Sequence, residues 1–305
     1  MAYSKPDIQT DWHQFDPFKV QAVKHHLIEH PLLQLDSLQR LAARLAEKGS
    51  VRTHNDQAAP DTNFNDAPDT HKAQYDANET IKRIKDAKAW MSLLNVQRDP
   101  EYRRLVDEIL DDVRPHIEER DPGMHFRAGW IFVTSPNAIT PFHFDHEHNF
   151  ILQIHGTKTV HVWEPLDRNV VTEEALELFH AKHKRDKLVL NEEVQKRAMV
   201  FEFKPGDGAY MPQTAPHWVK NGNDVSVTIS CTYYTEATRR RQLLHRTNHS
   251  LRQLGIKPPP VEGDGIREGL RHLGLRMVQK GSDRLKALRG KPPYGERIQY
   301  SPGSE

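Results

Sequence analysis

Three side chains of this 305-residue sequence have the types and spacing that hold a catalytic metal ion. His143 and Asp145 stand two positions apart, and His217 follows much later. Residues two apart on an extended strand project to one side of it, and a third side chain can join them from a strand folded back alongside. Two imidazoles and one carboxylate leave about three positions open on an octahedral ferrous ion, as in non-haem iron oxygenases. These residues, called the triad below, predict a metal site with room for a co-substrate and O2.

The residues around the triad have strand patterns. Between residues 149 and 163, apolar and β-branched residues on either side of Gly156 predict two strands joined by a tight turn. Another turn and strand precede His217, and residues 219–232 alternate apolar and polar side chains. Lys158 lies among apolar neighbours, where a buried ammonium needs a negative partner such as the carboxylate of an organic acid. A solvated position for this lysine is the alternative.

Together, residues 125–235 resemble the JmjC-like, or cupin-8, group of the cupin superfamily. These are Fe(II) and 2-oxoglutarate dependent oxygenases, and they include the asparaginyl hydroxylase that acts on hypoxia-inducible factor. The matching positions are Thr140, Pro141, His143, Asp145, Asn149, Phe150, Gln153, Ile154, Gly156 and Lys158, then Gly206, Pro212, His217 and Asn221. The resemblance implies a mainly β fold, a double-stranded β-helix or cupin jelly roll, with N-terminal and C-terminal helical extensions.

The resemblance also implies roles for individual residues. The triad would hold Fe(II), with 2-oxoglutarate and O2 as co-substrates. Thr140 and Lys158 would grip the distal carboxylate of 2-oxoglutarate, and Asn149 would lie near its metal-chelating end. Ser230 stands where the asparaginyl hydroxylase has a second asparagine. Phe132 is a further candidate for this pocket, because strand alternation points it either into the cavity or to the outer face.

The activity implied is a hydroxylase that couples oxidative decarboxylation of 2-oxoglutarate to hydroxylation of a C–H bond, with a protein or peptide side chain as the suggested substrate. A small-molecule oxygenase or isomerase of the cupin superfamily is one alternative. A cupin-like transcriptional regulator or ligand sensor is another. The fold hosts all of these, so only the site can distinguish them. The single cysteine, Cys231, is predicted to be a small apolar residue of the core rather than a nucleophile.

Three parts are predicted along the chain. Residues 1–124 form a helical extension with a flexible loop near 52–78, residues 125–235 form the cupin core, and residues 236–305 form a basic helical extension. The loop is either a lid over the site or a plain surface excursion. From caps and apolar periodicity, helices are predicted at about residues 36–49, 79–94, 101–119, 172–183 and 266–279. Residues 180–185 are predicted to be a solvated helix end.

Charge and composition suggest the partners. Residues 235–305 contain 15 Lys and Arg against 7 Asp and Glu, which allows nucleic-acid binding, but leucines at helical spacing favour a homodimer through the C-terminal helices. The sequence has no apolar run of about 18 residues, and its start lacks the apolar stretch of a secretory signal. One cysteine excludes an intrachain disulfide framework. A cytoplasmic location without a membrane partner is therefore expected.

Overall fold

The structure of the protein is a computed structural model, and it describes residues 6–261. This part of the chain forms eleven strands, seven α-helices and two short 3-10 turns at Pro31–Leu33 and Val96–Arg98. The strands are β1 (Gln21–Lys24), β2 (Val51–Asn55), β3 (Ala89–Leu93), β4 (His125–Thr134), β5 (Ile139–His143), β6 (His148–His155), β7 (Lys158–Val162), β8 (Met199–Phe203), β9 (Asp207–Met211), β10 (His217–Asn221) and β11 (Ser226–Tyr234). The helices are α1 (Leu35–Ala46), α2 (Ala67–Thr70), α3 (Ala77–Lys82), α4 (Pro100–Glu118), α5 (Glu173–Lys182), α6 (Glu192–Gln195) and α7 (Glu236–Gln253).

Two antiparallel sheets form the β part of the protein. The larger has the strand order β1-β9-β6-β11-β4-β3-β2, and the smaller has the order β5-β10-β7-β8. Ile151 and Met211 of the larger sheet share one buried cluster with Val160, Val162 and Val219 of the smaller sheet. The sheets therefore face each other, with side chains of alternate residues meeting between them. The predicted mainly β architecture is confirmed.

Helices cover the outer face of the larger sheet. The apolar residues Leu38 and Leu41 of α1 and Ile109 of α4 belong to one buried cluster with Ile229 and Cys231 of β11. The helix α4 begins where the sequence predicts, because Asp99 caps its first turn by accepting a hydrogen bond from the backbone of Glu101 at 3.1 Å. Cys231 is fully buried, as expected of an apolar core residue. The outer face of the larger sheet thus packs against helices, and only its inner face, toward the smaller sheet, can contribute side chains to the site.

The residues before the predicted core contribute strands as well as helices. The predicted helix at 79–94 is wrong beyond Lys82, where α3 ends, because residues 89–93 form strand β3. All five residues of β3 are buried, and the strand pairs with β4 on one side and β2 on the other. A short apolar run buried on both faces cannot be told from a helix by periodicity alone. The expected loop near 52–78 also contains regular structure, namely most of β2 and all of α2.

The C-terminal helix of the described chain packs on the helical segment that links β7 to β8. The helix α7 begins with a capping box at Thr235 and Thr238 and packs against α5, the helix predicted at 172–183. Arg252 near its end donates from Nε and Nη2 to the two carboxylate oxygens of the buried Glu177, at 2.7 and 2.9 Å. The helix predicted at 266–279 lies outside the described residues. In the described range, none of the helices is both long and apolar enough to cross a membrane.

Candidate metal centre

The structure brings the triad together at one end of the small sheet. His143 is the last residue of β5, His217 is the first residue of β10, and the two are direct partners across the ladder. Asp145 Oδ2 lies 3.7 Å from His143 Nε2 and 3.9 Å from His217 Nε2. The three ligand atoms lie within 4.8 Å of one another, as atoms around one metal ion must. The prediction that Asp145 lies on the same strand as His143 is wrong, because β5 ends at His143 and the aspartate lies in the connection that follows.

The hydrogen bonds and burial of both histidines suit a metal ligand. His143 Nδ1 donates to the carbonyl of Pro141 at 2.7 Å, and His217 Nδ1 donates to the carbonyl of Ala215 at 3.1 Å. Because a carbonyl only accepts, the proton of each ring resides on Nδ1 and the Nε2 lone pair faces the aspartate. Burial lowers the pKa of His143 well below its ordinary value, and burial also lowers that of His217. Both rings are therefore neutral at physiological pH, as metal ligation requires, and the triad fits a divalent metal ion.

A register shift lets β5 place two functional side chains on the inner face. His143 faces His217 across the ladder, and Thr140 faces Val219. The stretch of β5 from Thr140 to His143 therefore contains one more residue than the stretch of β10 opposite it. Val219 belongs to the cluster between the sheets, and its cross-strand partner Thr140 shares that side. Thr140 Oγ1 accepts a hydrogen bond from Trp90 Nε1 of the larger sheet at 2.8 Å. This contact fixes the threonine hydroxyl between the two sheets.

Lys158 lies on the same inner face, at the start of β7. Its cross-strand partner on β10 is the buried Asn221, and the next residues on its side of the strand, Val160 and Val162, belong to the cluster between the sheets. Only 5% of Lys158 is exposed, and burial lowers the pKa of its ammonium to about 7. Within residues 6–261, this ammonium has no hydrogen bond or ion pair. The alternative of a solvated lysine is therefore wrong.

The other three predicted pocket residues lie on the larger sheet and face inward. Ser230 pairs with Ile151, which belongs to the cluster between the sheets, and Phe132 and Asn149 fall on the same side by strand alternation. The Oδ1 of Asn149 is buried and finds no hydrogen-bond partner in the described chain. The Phe132 ring lies 5.5 Å from that of Trp90. The predicted pocket residues thus line facing walls, although their roles toward 2-oxoglutarate stay predictions.

Two residues beside the triad were not predicted from the sequence. The Phe64 ring stacks on the His143 ring, with centroids 3.9 Å apart and planes 7° apart. Arg185 donates from Nη2 to Asp145 Oδ1 at 3.4 Å. The run at 180–185 was expected to be solvated, but His180 is buried against His146, with their Nδ1 atoms 3.2 Å apart, and Arg185 reaches the triad. Neither contact follows from spacing, since each joins residues more than thirty positions apart.

The sequence profile of one family, described as Cupin-like domain, matches residues 13–239. The chain belongs to the cupin-like family. No curated protein sequence matches this cupin-like chain. Among solved structures, YcfD of Escherichia coli superposes with a TM-score of 0.51 at 15% identity, over 90% of this chain and 68% of that one. A second structure of YcfD, a ribosomal oxygenase from Escherichia coli, in complex with cobalt and 2-oxoglutarate, has a TM-score of 0.49 at 14% identity, with 90% and 68% covered.

These comparisons confirm the cupin fold and the predicted family. At such low identity the likeness to YcfD concerns the fold. The closer resemblance to the asparaginyl hydroxylase stays a prediction.

Proposed function

We propose that this cupin-like protein is an Fe(II) and 2-oxoglutarate dependent hydroxylase. The observation that carries the proposal is the buried Lys158 ammonium, which has no counter-ion among the described residues and lies on the same inner face as the two histidines of a His-Asp-His triad. Burying an unpaired cation is costly, so its position favours a site that receives an anion. A triad alone suits many metal cupins, whereas a triad with a buried cation suits a metal-chelating acid with a second carboxylate.

Each residue of the site has a role in this proposal. The triad holds Fe(II) through two neutral imidazoles and one carboxylate, and Lys158 with Thr140 grips the distal carboxylate of 2-oxoglutarate. Asn149, whose Oδ1 has no partner in the described chain, lies toward the metal-chelating end, while Ser230 and Phe132 line the wall opposite the triad. When bound, iron, 2-oxoglutarate and O2 supply the oxidising power for a C–H bond and release succinate and CO2.

The protein contributes orientation and exclusion of water. Phe64 covers the His143 ring, and Trp90 holds the Thr140 hydroxyl by a hydrogen bond from the larger sheet. The burial of Lys158 strengthens its attraction to a carboxylate, since charges interact more strongly where water is excluded. The proposed substrate is a protein or peptide side chain, and the ribosomal oxygenase YcfD shares the fold.

Succinate formation from 2-oxoglutarate tests this function without knowledge of the substrate. Anaerobically iron-loaded wild type is exposed to O2, beside His143→Ala and the control Lys220→Met, which changes an exposed lysine of β10. We expect succinate from wild type and the control but not from His143→Ala. Binding of 2-oxoglutarate without turnover, even with candidate peptides, would indicate a ligand sensor. Failure to bind 2-oxoglutarate would indicate another cupin chemistry, such as an isomerase.

We further propose a homodimer built through the C-terminal region. Just after α7, Leu254 and Ile256 are 76% and 51% exposed, which is unusual for large apolar side chains and suits a contact with a second copy. Light scattering of the full chain and of a Leu254→Glu, Ile256→Glu variant tests this, and a monomeric wild type would exclude it. We also propose a cytoplasmic location. The one cysteine, Cys231, is free and buried, as is usual in the reducing cytosol, where disulfides are rare.

A further inference from the structure

Arg185 is held rigidly beside the triad by contacts on all sides. It lies in the connection after α5, and its side chain is 14% exposed. Its Nε donates to the carbonyl of Phe144 at 3.0 Å, and its Nη1 donates to Asn65 Oδ1 at 2.6 Å. The guanidinium carbon lies 5.1 Å from the centre of the Phe64 ring and 4.6 Å from that of Phe179. A planar cation held by two rings and two acceptors has little freedom to turn.

The third donor of Arg185 divides the two oxygens of Asp145. Nη2 contacts Oδ1 at 3.4 Å, whereas Oδ2 is the oxygen that faces His143 Nε2 and His217 Nε2. One carboxylate oxygen therefore points at the metal position and the other at a fixed cation. Asp145 lies beyond the end of β5, so the sheet does not fix its carboxylate, and the arginine supplies the missing constraint.

We propose that Arg185 is a positioning residue that makes Asp145 coordinate the metal through Oδ2 alone. A carboxylate that bound through both oxygens would occupy one of the positions that 2-oxoglutarate and O2 need. By holding Oδ1, the guanidinium keeps that position open and fixes the direction of the Oδ2 lone pairs. This inference rests on the proposed metal site, but it does not require the proposed catalytic activity.

Charge and orientation predict opposite effects of removing this arginine. If Arg185 acted only as a positive charge beside the triad, its loss would tighten the binding of a divalent cation, since like charges repel. If it orients Asp145, its loss weakens binding, and groups that orient metal ligands are typically worth 10–100-fold in metal affinity. The sign of the change therefore separates a positioning role from a simple electrostatic one.

Co(II) binding to the full-length apoprotein provides the test, with affinity from calorimetry and coordination number from the visible absorption spectrum. We expect Arg185→Gln to bind Co(II) at least about tenfold more weakly and with an altered spectrum. Arg185→Lys keeps the charge but not the planar fork, so we expect it to restore affinity only in part. The matched control is Arg168→Gln, which removes an arginine that also joins a carboxylate, of Glu173, to a backbone carbonyl.

The outcomes are distinct. Unchanged or tighter binding in Arg185→Gln overturns the proposal, and weaker binding with an unchanged spectrum overturns coordination through one oxygen. If wild type binds no Co(II), the metal site itself fails, which differs from a failure of the positioning role. Should Arg185→Gln not fold, Asn65→Ala removes an anchor of the guanidinium and leaves Arg185 and Asp145 in place. That variant is expected to weaken Co(II) binding as well, and equal affinity would refute the proposal.

Discussion

Replacing Lys158 by Met separates the binding of 2-oxoglutarate from the stability of the fold. The ammonium is buried, and burial lowers its pKa from the ordinary 10.5 to about 7. Only the charged form attracts a carboxylate, so the ligand-free protein is ready to bind below pH 7 and must first take up a proton above it. Methionine fills a similar volume without a charge.

The expected pH dependence follows from that pKa. Between pH 7 and pH 9, the protonated fraction of a group with a pKa of about 7 falls from about one half to about one hundredth, so the affinity of wild type for 2-oxoglutarate is expected to fall about 50-fold. In Lys158→Met, binding is weak throughout and lacks this slope. The variant Lys220→Met keeps the slope, because it changes an exposed lysine.

The stability of the ligand-free protein is expected to rise with pH, in the direction opposite to its affinity for 2-oxoglutarate. Between pH 7 and 10.5 the unfolded chain binds more protons at this lysine than the folded protein, so the free energy of unfolding rises with pH by up to about 1.4 kcal/mol per unit. Below pH 7 the full penalty is present, and above 10.5 it is gone. At pH 7, Lys158→Met removes a penalty on the order of 4 kcal/mol from the ligand-free protein.

Two measurements check this reasoning. Anaerobic calorimetry with 2-oxoglutarate on the metal-loaded protein gives the affinity from pH 6.5 to 9, and urea unfolding of the ligand-free protein gives the stability. A wild-type affinity that does not fall with pH, or a methionine variant that keeps the wild-type slope, would refute the role of Lys158. A less stable methionine variant at pH 7 would show that the ammonium is not buried at a cost.

Three other substitutions test separate parts of the structure. Gly156→Ala is expected to lower the free energy of unfolding by roughly 3 kcal/mol, because the residue has φ +70° and a Cβ would meet a backbone carbonyl oxygen at 2.2 Å. Gly49→Ala, at φ +61° with open space around it, should lower it by only about 1 kcal/mol, and equal urea midpoints for the two variants would contradict this. Glu177→Gln should lower stability by about 1 to 2 kcal/mol, because it weakens the bidentate pair with the partly exposed Arg252, and unfolding curves that superpose with wild type would contradict it. His143→Ala should lose retained iron after desalting, as metal analysis can show, and stoichiometric iron in this variant would mean that the triad is misassigned.

The sequence predicts those parts of the site that lie on strands. Residue type and alternation favour a buried Lys158 but leave a solvated lysine open, and the burial of its apolar neighbours Val160 and Val162 on the same side of β7 decides for the buried position. The two histidines were predicted from their neighbours, and the ladder between β5 and β10 joins them. Long-range strand pairing was inferable here because each segment carried its own strand pattern.

The contacts that depend on connections could not be predicted. Phe64 and Arg185 come from segments without a repeating pattern, and they meet the triad only when the whole chain is folded. Local sequence also misled at Ala89–Leu93, where burial on both faces removed the alternation that marks a strand. Periodicity in a sequence marks an element with one buried and one exposed face, and it is absent where both faces of a strand are buried.

The extra residue in β5 determines which insertions and deletions the site can tolerate. Thr140 and His143 are three positions apart, so in a regular strand they would point to opposite faces, and the register shift alone puts both inside. Deleting one residue between them would remove the shift and leave the two side chains two positions apart, on one face of a regular strand, whereas the connections that carry Phe64 and Arg185 can gain or lose residues without moving any register. We therefore expect divergence to change the length of β5 between Thr140 and His143 by at most this one residue, and to place longer insertions and deletions in those connections, where they change access to the site.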